Sequence, residues 1–217
     1  MSRETGASGR YLAETIATFA LIFVGAASVL AGTGTLAIAF AHGLVLAVMI
    51  YAITHISGAH INPAVTISMW ATKRMKSAEA VKYIIAQLVG ASVAAFLLTG
   101  IYGNVGRSVN NLAAGVSPGT GLLVEIVLTF FLVFTVFATV VDKKNATHHA
   151  PLAIGFVLIF DHIIGLSLTG ASMNPARTFG PALASGMWAN HLIYWVGPII
   201  GALIAAFLYQ KAFMKKK

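Results

Sequence analysis

Six apolar blocks, each about as long as a bilayer core is thick, constrain this chain more than any other feature. They fall at about 11–30, 36–54, 81–101, 121–141, 151–168 and 190–209. A helix rises ~1.5 Å per residue, so about 20 residues cross the ~30 Å of hydrocarbon. The chain is 58% hydrophobic and only 9% charged, which leaves too little charge to cover the surface of a soluble domain. The reading is an all-α membrane protein with six transmembrane helices, multi-pass in the cell membrane. The first residues are polar up to Arg10, with no small-residue cleavage site after a short apolar region, so the first block is expected to stay as a span.

The formal charge of +8 invites a nucleic-acid reading, but the placement of the cations argues against one. Arg3 and Arg10 precede the first block, and Lys73, Arg74, Lys76 and Lys82 cluster before and at the start of the third. Lys143 and Lys144 lie between the fourth and fifth, and Lys211, Lys215, Lys216 and Lys217 follow the last. These are alternate connections of a six-span chain, so by the positive-inside rule they share the cytoplasmic side with both termini. Only Arg107 and Arg177 fall elsewhere. There is no cysteine, hence no disulfide or thiol chemistry.

Two apolar pieces are too short to span, 62–70 and 174–184, and each opens with Asn-Pro-Ala. Asn caps a helix well, and Pro suits the first helical position because its missing N–H would have no partner there. Short helices are therefore expected after Asn62 and Asn174. The two pieces sit in matching surroundings: Ser57-Gly58-Ala59-His60-Ile61-Asn62-Pro63-Ala64-Val65-Thr66 against Thr169-Gly170-Ala171-Ser172-Met173-Asn174-Pro175-Ala176-Arg177-Thr178. Glu14 near the start of the first span matches Glu125 near the start of the fourth. The chain reads as one channel domain over residues 1–217 built from a duplication, with repeats at about 11–101 and 121–209. Each repeat has three spans, an odd number, so the two enter the membrane inverted, an architecture that puts a site near the midplane. Irregular backbone cannot face lipid. The stretches Gly58, Ala59, His60, Ile61 and Gly170, Ala171, Ser172, Met173 must line a wet cavity, where their carbonyls are expected to form a ladder of acceptors.

Two such Asn-Pro-Ala boxes, each after Ser/Thr-Gly-Ala, with Arg177 following the second, resemble the aquaporin family, especially its microbial and archaeal members. The resemblance runs from about residue 11 to residue 209. It implies six transmembrane helices plus two re-entrant half-helices, a homotetramer, and a passive channel with water as substrate and the lipid bilayer as surroundings. Glycerol-conducting members usually carry Asp directly after the Arg, a cation a few residues later, and Pro-Leu in the last span. This chain has Thr178, Ala182 and Tyr194-Trp195 there and resembles the water branch. A broader facilitator for glycerol, urea or ammonia is the alternative.

The residues give that function a chemistry. Asn62, Pro63, Ala64 and Asn174, Pro175, Ala176 would bring two amide donors and two helix N-termini together, holding a water by its oxygen and opposing cations. Arg177 lies about one turn outward, and an ionisable group inside a membrane is a functional candidate by default. The family's constriction maps onto His42, His162, Ala171 and Arg177. Many water channels have Phe where this chain has His42, although some plant vacuolar members carry His. The Glu14 and Glu125 pair, costly in lipid, is implied by the family to hold the loop backbones. Small-residue stripes at Gly197 and Gly201, and at Ala86, Gly90 and Ala94, fit close helix packing.

Other function classes fare worse. A proton-coupled transporter needs a carboxylate or His relay across the membrane, and Glu14 lies near the inner end of its span and Glu125 near the outer end, with no evident chain between them. An enzyme needs a nucleophile–base set or a metal cluster. The adjacent pair His148 and His149 is a weak ligand set, and no cofactor or metal site is expected.

Overall fold

The computed structural model describes residues 6–214; Arg3 and Lys215, Lys216 and Lys217 lie outside the described residues. Among the described residues the chain is helical with no strands. Helix α1 covers Ala7–Leu30, α2 Thr35–Ser57, the short α3 Pro63–Ala71 and α4 Ser77–Tyr102. A loop with one 3-10 turn, Gly106–Ser108, leads to α5, Pro118–Val136, which winds on as a π turn through Phe137–Val141. Then come α6, Ala150–Gly165, the short α7, Pro175–Ser185, and α8, Ile193–Ala212.

Five of the helices are long and apolar enough to cross a bilayer, and α6, with 16 residues, is the shorter sixth. At ~1.5 Å per residue it spans about 24 Å. It ends before residue 168, where the sequence suggested, because the chain turns there toward Gly170 and Glu125. Helix α8 begins at Ile193 instead of residue 190, since Asn190 takes a left-handed φ of 56° and its amide donates to the Asn111 side chain at 2.9 Å. Helix α5 starts earlier than its apolar block: Ser117 caps it, accepting from the Thr120 N–H at 3.1 Å, with Pro118 in the first turn.

The packing repeats in two inverted halves. Helix α1 packs on α4 as α5 packs on α8, and α2 crosses α6 between the halves. Each short helix lies against the last helix of the other half, α3 on α8 and α7 on α4. Gly90 and Gly201 make the first two contacts possible. A Cβ at Gly90 would run into the Thr15 carbonyl, and one at Gly201 into the Ile126 carbonyl. The small-residue stripes therefore serve packing within the chain.

Burial is turned inside out relative to a soluble protein. Glu14, Gln87 and Glu125 are 0% exposed, whereas Leu12 and Leu123 on the outer faces of α1 and α5 are each 60% exposed. Only a surrounding bilayer makes that distribution favourable, and the chain is a multi-pass membrane protein.

Candidate functional site

The site is built on two loops that enter from opposite sides and stop at the middle. Their backbone alternates into the left-handed region at Ala59, Ile61, Ala171 and Met173, with φ from 50° to 56°. Such conformations cost about 1–2 kcal/mol each in residues with a Cβ. Buried carboxylates offset the cost. Glu14 accepts from the N–H groups of His60 at 2.9 Å and Ile61 at 2.7 Å, and from the Ser57 hydroxyl at 2.7 Å. Glu125 accepts from Ser172 at 3.0 Å, Met173 at 2.8 Å and the Thr169 hydroxyl at 2.7 Å. Hydrogen bonds to a charged partner are worth about 1.5–3 kcal/mol each.

Two tyrosines brace the loops from behind: Tyr83 donates to the Ser57 carbonyl and Tyr194 to the Thr169 carbonyl, both at 2.8 Å. The match then ends. Gln87 donates to Glu14 at 2.9 Å and to the Thr66 hydroxyl at 3.0 Å, while the corresponding place on α8 is taken by Pro198.

At the centre the two half-helices meet end to end. Asn62 caps α3, its side-chain oxygen accepting from the Ala64 N–H at 2.8 Å, and Asn174 caps α7 through the Ala176 N–H at 3.0 Å. Their amide nitrogens cross over: Asn62 donates to the Met173 carbonyl at 2.8 Å and Asn174 to the Ile61 carbonyl at 3.0 Å. One N–H of each amide is thus spent on the opposite loop, and one remains for the lumen that both residues line. The crossing also engages the Ile61 and Met173 carbonyls, and the Gly170 carbonyl accepts from Asn110 at 2.8 Å. Three of the eight carbonyls in the stretches 58–61 and 170–173 thus already have a protein donor, and of the eight residues Gly58, Ala59, His60, Ser172 and Met173 line the lumen.

The remaining wall is apolar, from Leu21, Leu46, Ile50, Leu132, Val136, Ile154 and Leu158, with His42, His162 and Arg177 set into it. The two imidazoles lie with centroids 4.1 Å apart. Each Nδ1 sits 2.8 Å from a carbonyl of its own helix, Ile38 for His42 and Leu158 for His162. A carbonyl only accepts, so Nδ1 carries the proton and, in the neutral ring, Nε2 is an acceptor. Neither Nε2 has a protein partner. Gly25 on α1 leaves room for the His42 ring, which any larger residue would meet. Arg177 is 4% exposed; its Nη1 donates to the Ser108 carbonyl at 2.8 Å and the Asn110 side chain at 2.6 Å, and its Nε has no protein partner. Ala171 is fully buried, close to Gly165.

Sequence reasoning did not reach Gln87, Tyr83, Asn110 and Ser108, and it used Tyr194 only as a marker of the water branch. The tyrosines carried a signal, since Tyr83 and Tyr194 have the same spacing in the two halves as Glu14 and Glu125. Gln87 was a lone amide in an apolar span. Asp161, beside His162, is fully buried with neither oxygen near a protein donor, and nothing in the structure explains it.

Comparison with known proteins places this arrangement among characterised relatives. The family model described as Major intrinsic protein matches residues 1–209. Aquaporin TIP4-4 of Zea mays is 44% identical over 224 residues, covering 97% of this chain and 89% of that protein. Aquaporin-4 of Mus musculus is 43% identical over 215 residues, covering 93% of this chain and 66% of that protein. Among solved structures, the aquaglyceroporin from Plasmodium falciparum superposes with a TM-score of 0.84 at 24% identity, covering 96% of this chain and 98% of that one. At that identity the likeness concerns the fold alone.

Proposed function

Because the chain belongs to the major intrinsic protein family, whose members are channels and not enzymes, we propose that it is a passive water channel that excludes protons, ions and larger neutral solutes. The observation that carries this reading is the meeting of two half-capped asparagines in an otherwise apolar lumen. The remaining N–H of Asn62 and that of Asn174 both aim at one water oxygen. That water has its lone pairs occupied, so it donates to its neighbours in both directions and accepts from neither. A proton hopping along the file finds no acceptor there. The positive ends of α3 and α7 meet at the same place and repel cations.

Arg177, His42 and His162 act as the narrow filter in this reading. Arg177 presents a charged donor and the two Nε2 atoms present acceptors. A water satisfies both kinds of partner at once, whereas a glycerol backbone needs apolar surface that two imidazoles and a guanidinium do not offer. The competing reading, a broader path for glycerol, urea or ammonia, would require the filter to widen. The channel sits in the cell membrane as a homotetramer, with both termini cytoplasmic. Supporting that orientation, Arg10, Lys73, Arg74, Lys76, Lys143, Lys144 and Lys211 fall at chain ends and connections on one side of the helix bundle.

Reconstituted proteoliposomes are expected to shrink faster than empty ones in hyperosmotic sucrose, with low activation energy and no accompanying proton current. Stopped-flow light scattering beside an internal pH dye measures both. Proton flux that rises in step with water flux would contradict the interrupted wire.

A further inference from the structure

We propose that Asn110 and Thr178 form an outer clamp that fixes the guanidinium of Arg177 and so sets the size cut-off of the pore. The inference rests on reading Arg177 as a wall of the filter, and it assigns Asn110 and Thr178 as positioning residues, since neither lines the lumen.

Counting protons shows how the clamp is ordered. The Asn110 side-chain oxygen receives both Arg177 Nη1, at 2.6 Å, and the Thr178 hydroxyl, at 2.8 Å. Thr178 has one hydroxyl proton and gives it to Asn110, so at the 2.6 Å contact with Ser172 it must accept. Ser172 then donates to Thr178, and its 2.9 Å approach to the Asn174 carbonyl is left without that proton. A one-way chain results, from lumen-lining Ser172 through Thr178 to Asn110. Asn110 closes it by donating its amide to the Gly170 carbonyl. Asn110 is 1% exposed and Thr178 0%, so water does not compete for these partners.

The clamp decides which edge of the guanidinium the pore meets. Nη1 has two protons, and both are taken, one by the Ser108 carbonyl and one by Asn110. That edge faces away from the solute path, which leaves Nε and Nη2 to face it. The loop that carries the clamp is itself tied down. The Ala113 N–H donates to the Leu168 carbonyl at 2.9 Å, and the Asn111 side chain accepts from Asn190. Without Asn110, one Nη1 proton, the Thr178 hydroxyl and the Gly170 carbonyl all lose a partner together, and Arg177 is free to swing out of the lumen.

The test is a series of neutral solutes of rising size, urea, glycerol and erythritol, each measured as uptake relative to water flux in proteoliposomes. Asn110→Ala should raise the ratio for the first solute that wild type excludes by about tenfold, the scale of one lost charge-assisted hydrogen bond. Asn110→Asp keeps the oxygen that Arg177 and Thr178 need but loses the amide that Gly170 accepts, so it should raise the ratio clearly less than Asn110→Ala does, and Thr178→Val should likewise raise it by less than Asn110→Ala. Adding Asn110→Ala to Arg177→Ala should change nothing further, because the clamp acts only through Arg177. An unchanged ratio in Asn110→Ala, an equal rise in Asn110→Asp, or additivity with Arg177→Ala would overturn the clamp. If Asn110→Ala does not fold, Thr178→Val and Asn110→Asp decide: no rise in the first, or a rise in the second of about tenfold or more, overturns it. Wild-type passage of glycerol as fast as water would instead sink the water-selective reading, with the clamp still scored on erythritol.

Discussion

Glu125→Ala is expected to abolish most of the folded protein. The carboxylate accepts from two backbone N–H groups and one hydroxyl, all fully buried. A buried donor left without its partner costs about 1–3 kcal/mol, more when the lost partner is charged. Three together approach the whole ~5–15 kcal/mol by which folded proteins are typically stable. The left-handed turns at Ala171 and Met173 would lose what holds them, and water inside the bundle is a poor substitute. Glu125→Gln should be milder but still harmful, because its amide places a donor where the loop offers only donors. Detergent size-exclusion profiles and thermal unfolding of the two variants measure this. Full recovery of folded Glu125→Ala with only an altered pH dependence of transport would argue for a proton relay in place of a scaffold.

Replacing His162 and Arg177 together by Ala should admit glycerol. In the proposed filter the pair supplies the charged donor and one of the two acceptors, and its removal widens the lumen. Loss of one to two charge-assisted contacts corresponds to roughly 10–100-fold in the ratio of glycerol uptake to water flux. His42→Phe should act the other way. Its larger ring would rest on His162 in the space beside Gly25 and narrow the lumen, lowering residual glycerol passage while water flux changes little. Isotonic glycerol swelling with the three proteins decides, and a double variant that still excludes glycerol would remove these residues from the filter.

The fold was largely legible because its determinants are local. Asn followed by Pro announces a helix start wherever it occurs, and both short helices begin at Asn62 and Asn174. Apolar block length gave the spans but not their ends. Those were decided by single residues, such as the left-handed Asn190 before α8 and the Ser117–Pro118 cap of α5. The exchange of amide bonds between Asn62 and Met173, and between Asn174 and Ile61, was hidden for a different reason. It joins residues 111 and 113 positions apart, and nothing in either loop's sequence specifies which carbonyl of the other it meets. Asn110 was hidden likewise, one of two adjacent asparagines in a polar loop until the fold brings it against Arg177.

Water selectivity is tested most directly by measuring osmotic water flux and isotonic glycerol uptake on one preparation of the wild-type protein in proteoliposomes. Water flux far above that of empty vesicles, with glycerol uptake close to their leak, is the expected result. Glycerol uptake that rises in proportion to water flux would contradict it.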